Sequence, residues 1–399
     1  MKKGWEIKTL GELCEIELGK TPSRSNALFW DEKRKTKNIW LSIADLLKTE
    51  DNIVIDSKEY VSDKGAAICK RVPKGTLLAS FKLTLGRLAF AGRDLFTNEA
   101  IAALTILNER ELSKEFLFYC LTFFDWVKAA ENDVKLKGMT LNKAKLKVMP
   151  IAFPPLEDQK RIVAKLDEAF VGLAKAKENA EKNLQNARAL FESHLDSVFT
   201  QRGPGWVEKK LEEIGKTQTG STPSTSDQSN YGDFISFVKP GDFNTDGTLD
   251  YDKDGLSKRG ADGARIVPAG SVLMVCIGAT IGKCGYCDQD VTTNQQVNAL
   301  TPCDGSSNRF IYYQMLTETF QRKVNHASGQ ATLPIINKSR WSALSVWLTP
   351  QASEQKLIVA KLDAMLTETQ RLARFYEQKL EALESLKKSI LHEAFSGNL

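Results

Sequence analysis

A few short stretches of this chain hold the residue types that chemistry most often uses, and each lacks a component its reaction needs. Gly19-Lys20-Thr21 ends like a phosphate-binding loop, but that motif needs a glycine where Cys14 stands, and Gly215-Lys216-Thr217 fails likewise at Lys210. Cys284-Gly285-Tyr286-Cys287 has the spacing of a zinc pair, with Cys276 and Cys303 nearby. Its counterparts in the first half of the chain, Leu88 and Ala91, are apolar, so core thiols are favoured over a metal site. Glu6-Ile7-Lys8 has a nuclease-like spacing without a second carboxylate element to hold a metal. Adenine N6 methylation would need a glycine-rich cofactor loop and an Asp/Asn-Pro-Pro-aromatic motif. The sole Pro-Pro, in Phe153-Pro154-Pro155-Leu156, lacks both the polar residue and the aromatic. His194, His326 and His392 form no constellation, which leaves general acid–base catalysis little to work with.

The remaining candidates are cations and amides suited to binding. Residues 1–150 hold 26 Lys and Arg against 20 Asp and Glu, whereas residues 204–350 hold 14 against 15. A polyanion is therefore a permitted partner, with most of the positive excess in the first segment. Lys33-Arg34-Lys35-Thr36-Lys37 is the densest basic cluster, and Lys135, Lys137, Lys143, Lys145 and Lys147 make a second. Either is also compatible with a solvated surface. Gly86-Arg87 and Gly282-Lys283 set a cation behind a glycine at equivalent places. Asn98 and Asn294 open matching polar segments, where a base contact competes with a buried amide completing a turn. Lys20, Lys239, Lys258, Arg259, Arg322, Lys323 and Arg340 complete the set of candidates.

The elements that must position these residues are written twice. Gln159-Lys160-Arg161-Ile162-Val163-Ala164-Lys165-Leu166-Asp167 returns as Gln355-Lys356-Leu357-Ile358-Val359-Ala360-Lys361-Leu362-Asp363, identical at eight of nine positions. Trp5, Leu10, Gly19 and Thr21-Pro22-Ser23 return as Trp206, Leu211, Gly220 and Thr222-Pro223-Ser224. Val72-Pro73-Lys74-Gly75, Thr97-Asn98-Glu99 and Asn142-Lys143 have their own echoes at Val267-Pro268-Ala269-Gly270, Thr293-Asn294-Gln295 and Asn337-Lys338. A duplicated domain with small loop insertions produces this pattern.

Each copy reads as a mixed α/β domain of short strands followed by one long amphipathic helix. Leu77–Phe81 and Ser271–Gly278 are the expected core strands, each entered through a Val-Pro…Gly turn. Lys114–Ala130 and Asn308–Val324 carry aromatic and aliphatic residues at helical spacing. The expected division is 1–153, a helix over 154–202, a second domain over 203–349 and a second helix over 350–399. The seam of the first helix runs through Ile162, Leu166, Leu173, Leu184, Phe191 and His194, and that of the second through Ile358, Leu362, Leu372, Leu380, Leu383 and Lys387. Both seams contain a stutter at matching depth, so the helices could pack together. About 43 residues at about 1.5 Å each make a rod of about 65 Å. The odd number of cysteines argues against a disulfide framework, and the N-terminal residues lack a signal peptide's apolar stretch, so a cytoplasmic protein is expected.

Taken together, these features resemble the specificity subunit of type I restriction-modification systems. The resemblance rests on Gly19–Ser23 and Gly220–Ser224, on Pro154–Gln159, on Ala187–Ser193 and on Leu383–Leu399, and it covers essentially the whole chain. It implies an α/β (α+β) fold with two target recognition domains, separated by two long helices in an antiparallel coiled coil with pseudo-twofold symmetry. It further implies double-stranded DNA as ligand, two methyltransferase subunits and additional restriction subunits as partners. S-adenosylmethionine, ATP and Mg would then belong to those partners, and this chain would bind no cofactor. Two related readers would meet DNA about 34–36 Å apart, leaving an unread spacer on the order of 5–8 base pairs. The alternatives are a stand-alone methyltransferase or nuclease, or a coiled-coil adaptor that does not bind DNA.

Overall fold

The computed structural model describes residues 4–47, 52–131, 141–303, 305–329 and 333–396, with the backbone alone at 134–135 and 138–139. Two compact units emerge, Met1–Glu178 with Leu380–Leu399 and Asn179–Lys379. Each unit therefore takes one α/β domain together with part of each long helix, and the division falls within the helices instead of at their ends.

In the first unit a five-stranded sheet has the spatial order Cys14–Leu18, Ile101–Ile106, Leu77–Ser80, Leu88–Ala91 and Ile53–Val54. A four-stranded sheet runs Glu59–Tyr60, Ile39–Leu41, Leu95–Thr97 and Arg71–Val72. Glu6–Thr9 pairs with Pro150–Phe153, the strand that leads into the long helix. The second unit repeats the scheme with Gly215–Thr219, Val297–Pro302, Val272–Val275 and Cys284–Tyr286 in one sheet. Its other four-stranded sheet runs Gly255–Leu256, Tyr231–Val238, Val291–Thr293 and Ile266–Val267, and Val207–Lys210 pairs with Ser345–Leu348. The same parallel pairing recurs in both: Trp40 lies opposite Phe96 as Phe237 lies opposite Thr292. The central strands Leu77–Ser80 and Val272–Val275 are buried at every residue, because a core cluster covers each face: Leu77 and Ala79 pack in one and Leu78 in another, as Val272 and Met274 do against Leu273 and Val275.

The helix expected over Lys114–Ala130 is broken. It forms Lys114–Phe123 and Trp126–Ala129, because the Asp125 carboxylate accepts from the Lys128 amide and starts a new helix. Its counterpart breaks at Thr317, whose hydroxyl accepts from the Phe320 amide, giving Asn308–Leu316 and Glu318–Ser328.

Each long helix spans 45 residues, Leu156–Thr200 and Ala352–Ser396. The duplicated nine-residue motif explains how they dock. Gln159 is fully buried; its amide oxygen accepts from the Ser113 N–H and its nitrogen donates to the carbonyls of Glu111 and Pro154. Gln355 accepts in the same way from Ser307 N–H and donates to the Thr349 carbonyl. Ile162 and Leu166 enter the core of the first unit beside Leu391 and Ala394, and Leu362 enters that of the second beside Phe191, Leu195 and Phe199. The helices run antiparallel within each unit, bridged by Lys177 to Glu384 at 2.8 Å in the first and by Arg188 to Glu377 at 2.8 Å in the second.

The seam differs from the expected one at three positions. His194 is exposed while Leu195 is buried at 3%, because the buried stripe advances by four residues through Ala187, Phe191, Leu195 and Phe199. Leu372 is 37% exposed, whereas Thr369, three residues earlier on the same expected seam, is buried at 5%. The Thr369 hydroxyl bonds the Met365 and Leu366 carbonyls, which satisfies it within the apolar seam. Lys387 is exposed, its ammonium 5.3 Å from the Phe170 ring. Leu173, Leu184, Ile358, Leu380 and Leu383 are half-buried. Among the described residues no helix is long and apolar enough to cross a membrane.

Candidate nucleic-acid interface

A loop held against the end of a strand forms the same site in each unit. After strand Cys14–Leu18, Gly19 lies so close to the Thr97 carbonyl that an added Cβ would sit 2.2 Å from its oxygen. The Lys20 amide donates to Thr97 O at 2.8 Å, and the Trp40 indole donates to Lys20 O at 3.0 Å. The loop then passes Thr21, whose hydroxyl donates to the Glu99 carboxylate, and reaches Arg24. The Arg24 guanidinium covers Trp30 at 4.1 Å and Trp40 at 4.8 Å, and it pairs with Glu59. In the second unit Gly220 meets the Thr293 carbonyl with the same 2.2 Å restriction, Ser221 N–H donates to Thr293 O at 2.9 Å, and Thr222 donates to the Gln295 amide oxygen.

The aromatic pair is also repeated. Trp30 and Trp40 meet edge to face at 5.1 Å, and Tyr231 and Phe237 do so at 6.5 Å. The cation that accompanies them comes from a different segment in each unit. Thr225 occupies the sequence position of Arg24, so the second unit draws on Lys239, which lies 5.4 Å from the Phe237 ring and 2.8 Å from Asp254. Lys239 stands where the first unit has Ser42: Lys239 N–H donates to Asp242 at 2.7 Å as Ser42 N–H donates to Asp45 at 2.8 Å. Beside this second set opens a cleft of about 380 Å³ lined by Thr222, Thr225, Gln228, Tyr231, Lys239 and Gln295 among others. A cleft of about 430 Å³ in the first unit shares the Arg24, Ala27 and Trp30 positions with it but is otherwise lined by Ser25, Asp31, Glu32, Lys58, Glu59 and Tyr60. Cations, aromatic faces and amides or carboxylates within one open cleft suit phosphate contact together with recognition of a base edge.

The structure sorts the residues expected from sequence. Lys20, Lys33, Lys35, Lys37, Arg87, Lys143 and Lys258 are exposed. Arg34 is a fastener: at a φ of 51° it reaches Asp56 and the Ser57 carbonyl and covers the Tyr60 ring at 4.7 Å. It thereby brings the 33–37 loop beside the Arg24 cleft, whose lining includes Asp31, Glu32 and Tyr60. Arg259 pairs with Asp227 at 3.0 Å and Arg322 with Glu318 at 3.7 Å. Lys323 bonds Glu208 at 3.1 Å and the Ser345 hydroxyl at 2.9 Å, where it pins its helix to the sheet pair Val207–Lys210 and Ser345–Leu348. Arg340 reaches the Ala327 carbonyl at 3.4 Å. Lys143 begins the short helix Lys143–Lys147, whose Leu146 belongs to the core cluster that also holds Ile162 and Leu166. Lys137 lies outside the described residues, and Lys135 is described by its backbone alone.

The paired amides are turn formers. Asn98 accepts from the Ala100 amide, and Asn294, 9% exposed, accepts from Gln296 N–H and donates to the Gln296 side chain. Their exposed neighbours Glu99 and Gln295 face solvent instead. Burial raises the Glu99 pKa, but the Thr21 hydroxyl, its own backbone, Lys82 and Arg24 outweigh that effect and hold the carboxyl below its usual value, hence ionised at neutral pH. Gly86, at a φ of 72°, abuts Trp126, and Gly282, at 87°, abuts Gln321, fixing the turns that carry Arg87 and half-buried Lys283. Cys276, Cys284 and Cys287 are core residues, and burial pushes the thiols of Cys276 and Cys287 up to about 12 and about 11. Arg24 and Trp30 are marked by no echo, whereas Glu99 and Gln295 close the Thr-Asn-Glu/Gln echo of which the sequence singles out the asparagines alone.

Comparison with known proteins places this geometry in a family. The chain is similar to the HindI specificity subunit of a type I restriction enzyme from Haemophilus influenzae, 28% identical over 236 residues, covering 57% of this chain and 49% of that protein. It is also similar to the MjaIX specificity subunit from Methanocaldococcus jannaschii, 25% identical over 244 residues, covering 55% and 53%. The matched regions thus span about half the length of these curated relatives. In fold it resembles a chain solved in work on complex assembly and conformational transition of the type I R-M system, with TM-score 0.78, 20% identity and coverage of 100% and 99%. The HsdS subunit of Thermoanaerobacter tengcongensis gives a TM-score of 0.59 at 20% identity, covering 99% and 97%. Residues 2–182 and 204–382 each match the family model for the type I restriction modification DNA specificity domain, and this chain belongs to that family.

Proposed function

We propose that this chain is the DNA-sequence specificity subunit of a type I restriction-modification complex, reading one half of a bipartite target with each unit. The carrying observation is the site built twice: one backbone scaffold, one aromatic pair and one clamping threonine, with different exposed side chains at Arg24/Thr225 and Glu99/Gln295. A shared scaffold gives both units one docking geometry, and differing side chains give the half-sites different bases.

The exposed part of the duplicated helix motif supports partner binding. Gln159, Ile162, Leu166 and Asp167 are accounted for by docking within the unit, but Lys160, Ala164 and Lys165 are exposed and recur as exposed Lys356, Ala360 and Lys361. Identical outward residues on both helices suit two copies of one partner, the methyltransferase subunits, with restriction subunits joining that core. The chain would then be non-catalytic. S-adenosylmethionine, ATP and Mg would act on the partners, which must extrude the target adenine themselves.

The test maps N6-methyladenine in the native genome with the gene present and deleted. A bipartite motif that disappears on deletion supports the reading; an unchanged methylation map refutes it. Purified chain supplied with S-adenosylmethionine and duplex DNA should transfer no methyl group until methyltransferase subunits are added.

A further inference from the structure

Glu99 and Gln295 hold one position in two copies of the same site. Each is exposed, each follows a turn-forming asparagine, and each is fixed by the hydroxyl of the threonine two residues after the glycine that both units share. Two features set the pair apart from ordinary surface variation. First, the side chain is held before any ligand arrives, which lowers the entropy lost on contact. Second, Glu99 is an ionised carboxylate beside Lys82 and Arg24, on a unit that must approach a polyanion. A fixed anion there is costly for phosphate contact, and a base amino group compensates it.

We infer that Glu99 and Gln295 are equivalent specificity-determining residues, each reading one base of its own half-site. Their hydrogen-bond inventories differ in the way base edges do. With one carboxylate oxygen engaged by Thr21, Glu99 can only accept, and it matches the N4 amino group of cytosine. Gln295, its oxygen engaged by Thr222, keeps its NH₂ as donor and a second lone pair as acceptor, the pair that fits adenine N7 and N6. The half-site of the first unit accordingly carries cytosine where that of the second carries adenine. This inference rests on the proposed function and adds the residues that distinguish the two halves.

The experiment uses the chain assembled with its methyltransferase subunits and duplexes bearing the genomic motif or single base-pair substitutions within it. Binding is read by fluorescence anisotropy, and methylation by motif mapping. Glu99→Gln should lose about tenfold discrimination or more at one base pair of one half-site, in favour of adenine over cytosine, with the other half-site unchanged. Gln295→Glu should do the reverse in the other half. Thr21→Val, which frees the Glu99 side chain without altering it, should blur preference at the same base pair as Glu99→Gln. Unchanged discrimination at every position overturns the inference, as does an even loss over both half-sites from variants of unaltered melting temperature. If the unmodified complex itself prefers no bipartite motif, the proposed function fails instead, so the two failures are distinct.

Discussion

The Tyr119 phenol donates a hydrogen bond to the Asp167 carboxylate, tying the α/β domain of the first unit to the last residue of the duplicated helix motif. Tyr313 makes the same bond to Asp363 in the second unit, where Arg309 adds a 2.7 Å ion pair to the same carboxylate. Burial first, and then the neighbouring carboxylate, raises both phenols well above their usual range, so each remains a donor at any physiological pH. Tyr119→Phe removes a bond to a charged acceptor and should cost about 1.5–3 kcal/mol in urea unfolding. Tyr313→Phe should cost less, because Arg309 continues to hold Asp363. Equal losses in the two variants would show that Arg309 contributes nothing there.

Gln159 is the more demanding joint. Gln159→Ala leaves the Ser113 amide and the carbonyls of Glu111 and Pro154 without their buried partner, at a cost of about 2–3 kcal/mol. Gln355→Ala should behave similarly through Ser307 and Thr349. Gln159→Glu sets a carboxylate in a fully buried site against the Glu111 and Pro154 carbonyl oxygens, so it should melt no higher than the alanine variant at neutral pH and recover as falling pH protonates it.

The Lys323 contact separates a structural cation from a DNA-binding one. Glu208 is held below the usual carboxylate range, first by the Ser345 hydroxyl and then by Lys323 against an opposing effect of burial. A depressed folded-state pKa means stability that is present above the unfolded value of about 4.3 and lost as pH falls through the folded value. Glu208→Gln should therefore flatten the acid limb of the stability curve below about pH 4.3 and leave the neutral limb shallowly lowered. Lys323→Met should lower the melting temperature while leaving the affinity for DNA and its salt dependence unchanged. A reduced salt slope would place Lys323 on the DNA after all.

Much of this fold was legible because duplication checks each element against its copy. Leu77–Ser80 and Val272–Val275, the turns at Gly75 and Gly270, and both long helices followed from apolar runs and matching punctuation. The breaks at Asp125 and Thr317 did not, since a capping side chain inside an apolar helical pattern reads as one more polar residue of its exposed face. By sequence His194 falls on the seam, because a three-residue step is as common as a four-residue one, and only packing decides that Leu195 turns inward. Glycine and threonine echoes marked the site, but its working groups were hidden for a different reason. Arg24, Trp30, Trp40 and Glu59 meet only after four separate segments come together, and repeat comparison discards positions where the copies differ, such as Arg24 and Thr225.

That difference is itself compensated, which gives the last prediction. The first unit has Arg24 with Ser42, the second Thr225 with Lys239, so each has one cation beside a carboxylate and over the aromatic pair, Arg24 over both rings and Lys239 over Phe237. If the requirement is for a cation at this place and not for one residue, the two solutions are interchangeable. Arg24→Thr should weaken binding of the assembled complex to its target and reduce the salt slope by about 1, as loss of one phosphate contact does. Adding Ser42→Lys to that variant should restore the slope, because its backbone already takes the Lys239 conformation with the amide bonded to Asp45 as Lys239 is to Asp242. Recovery of affinity with altered base preference would show that the cation supplies attraction while its point of origin shapes the cleft. A double variant no better than Arg24→Thr alone would mean that the planar guanidinium, lying across both tryptophans, does something an ammonium cannot.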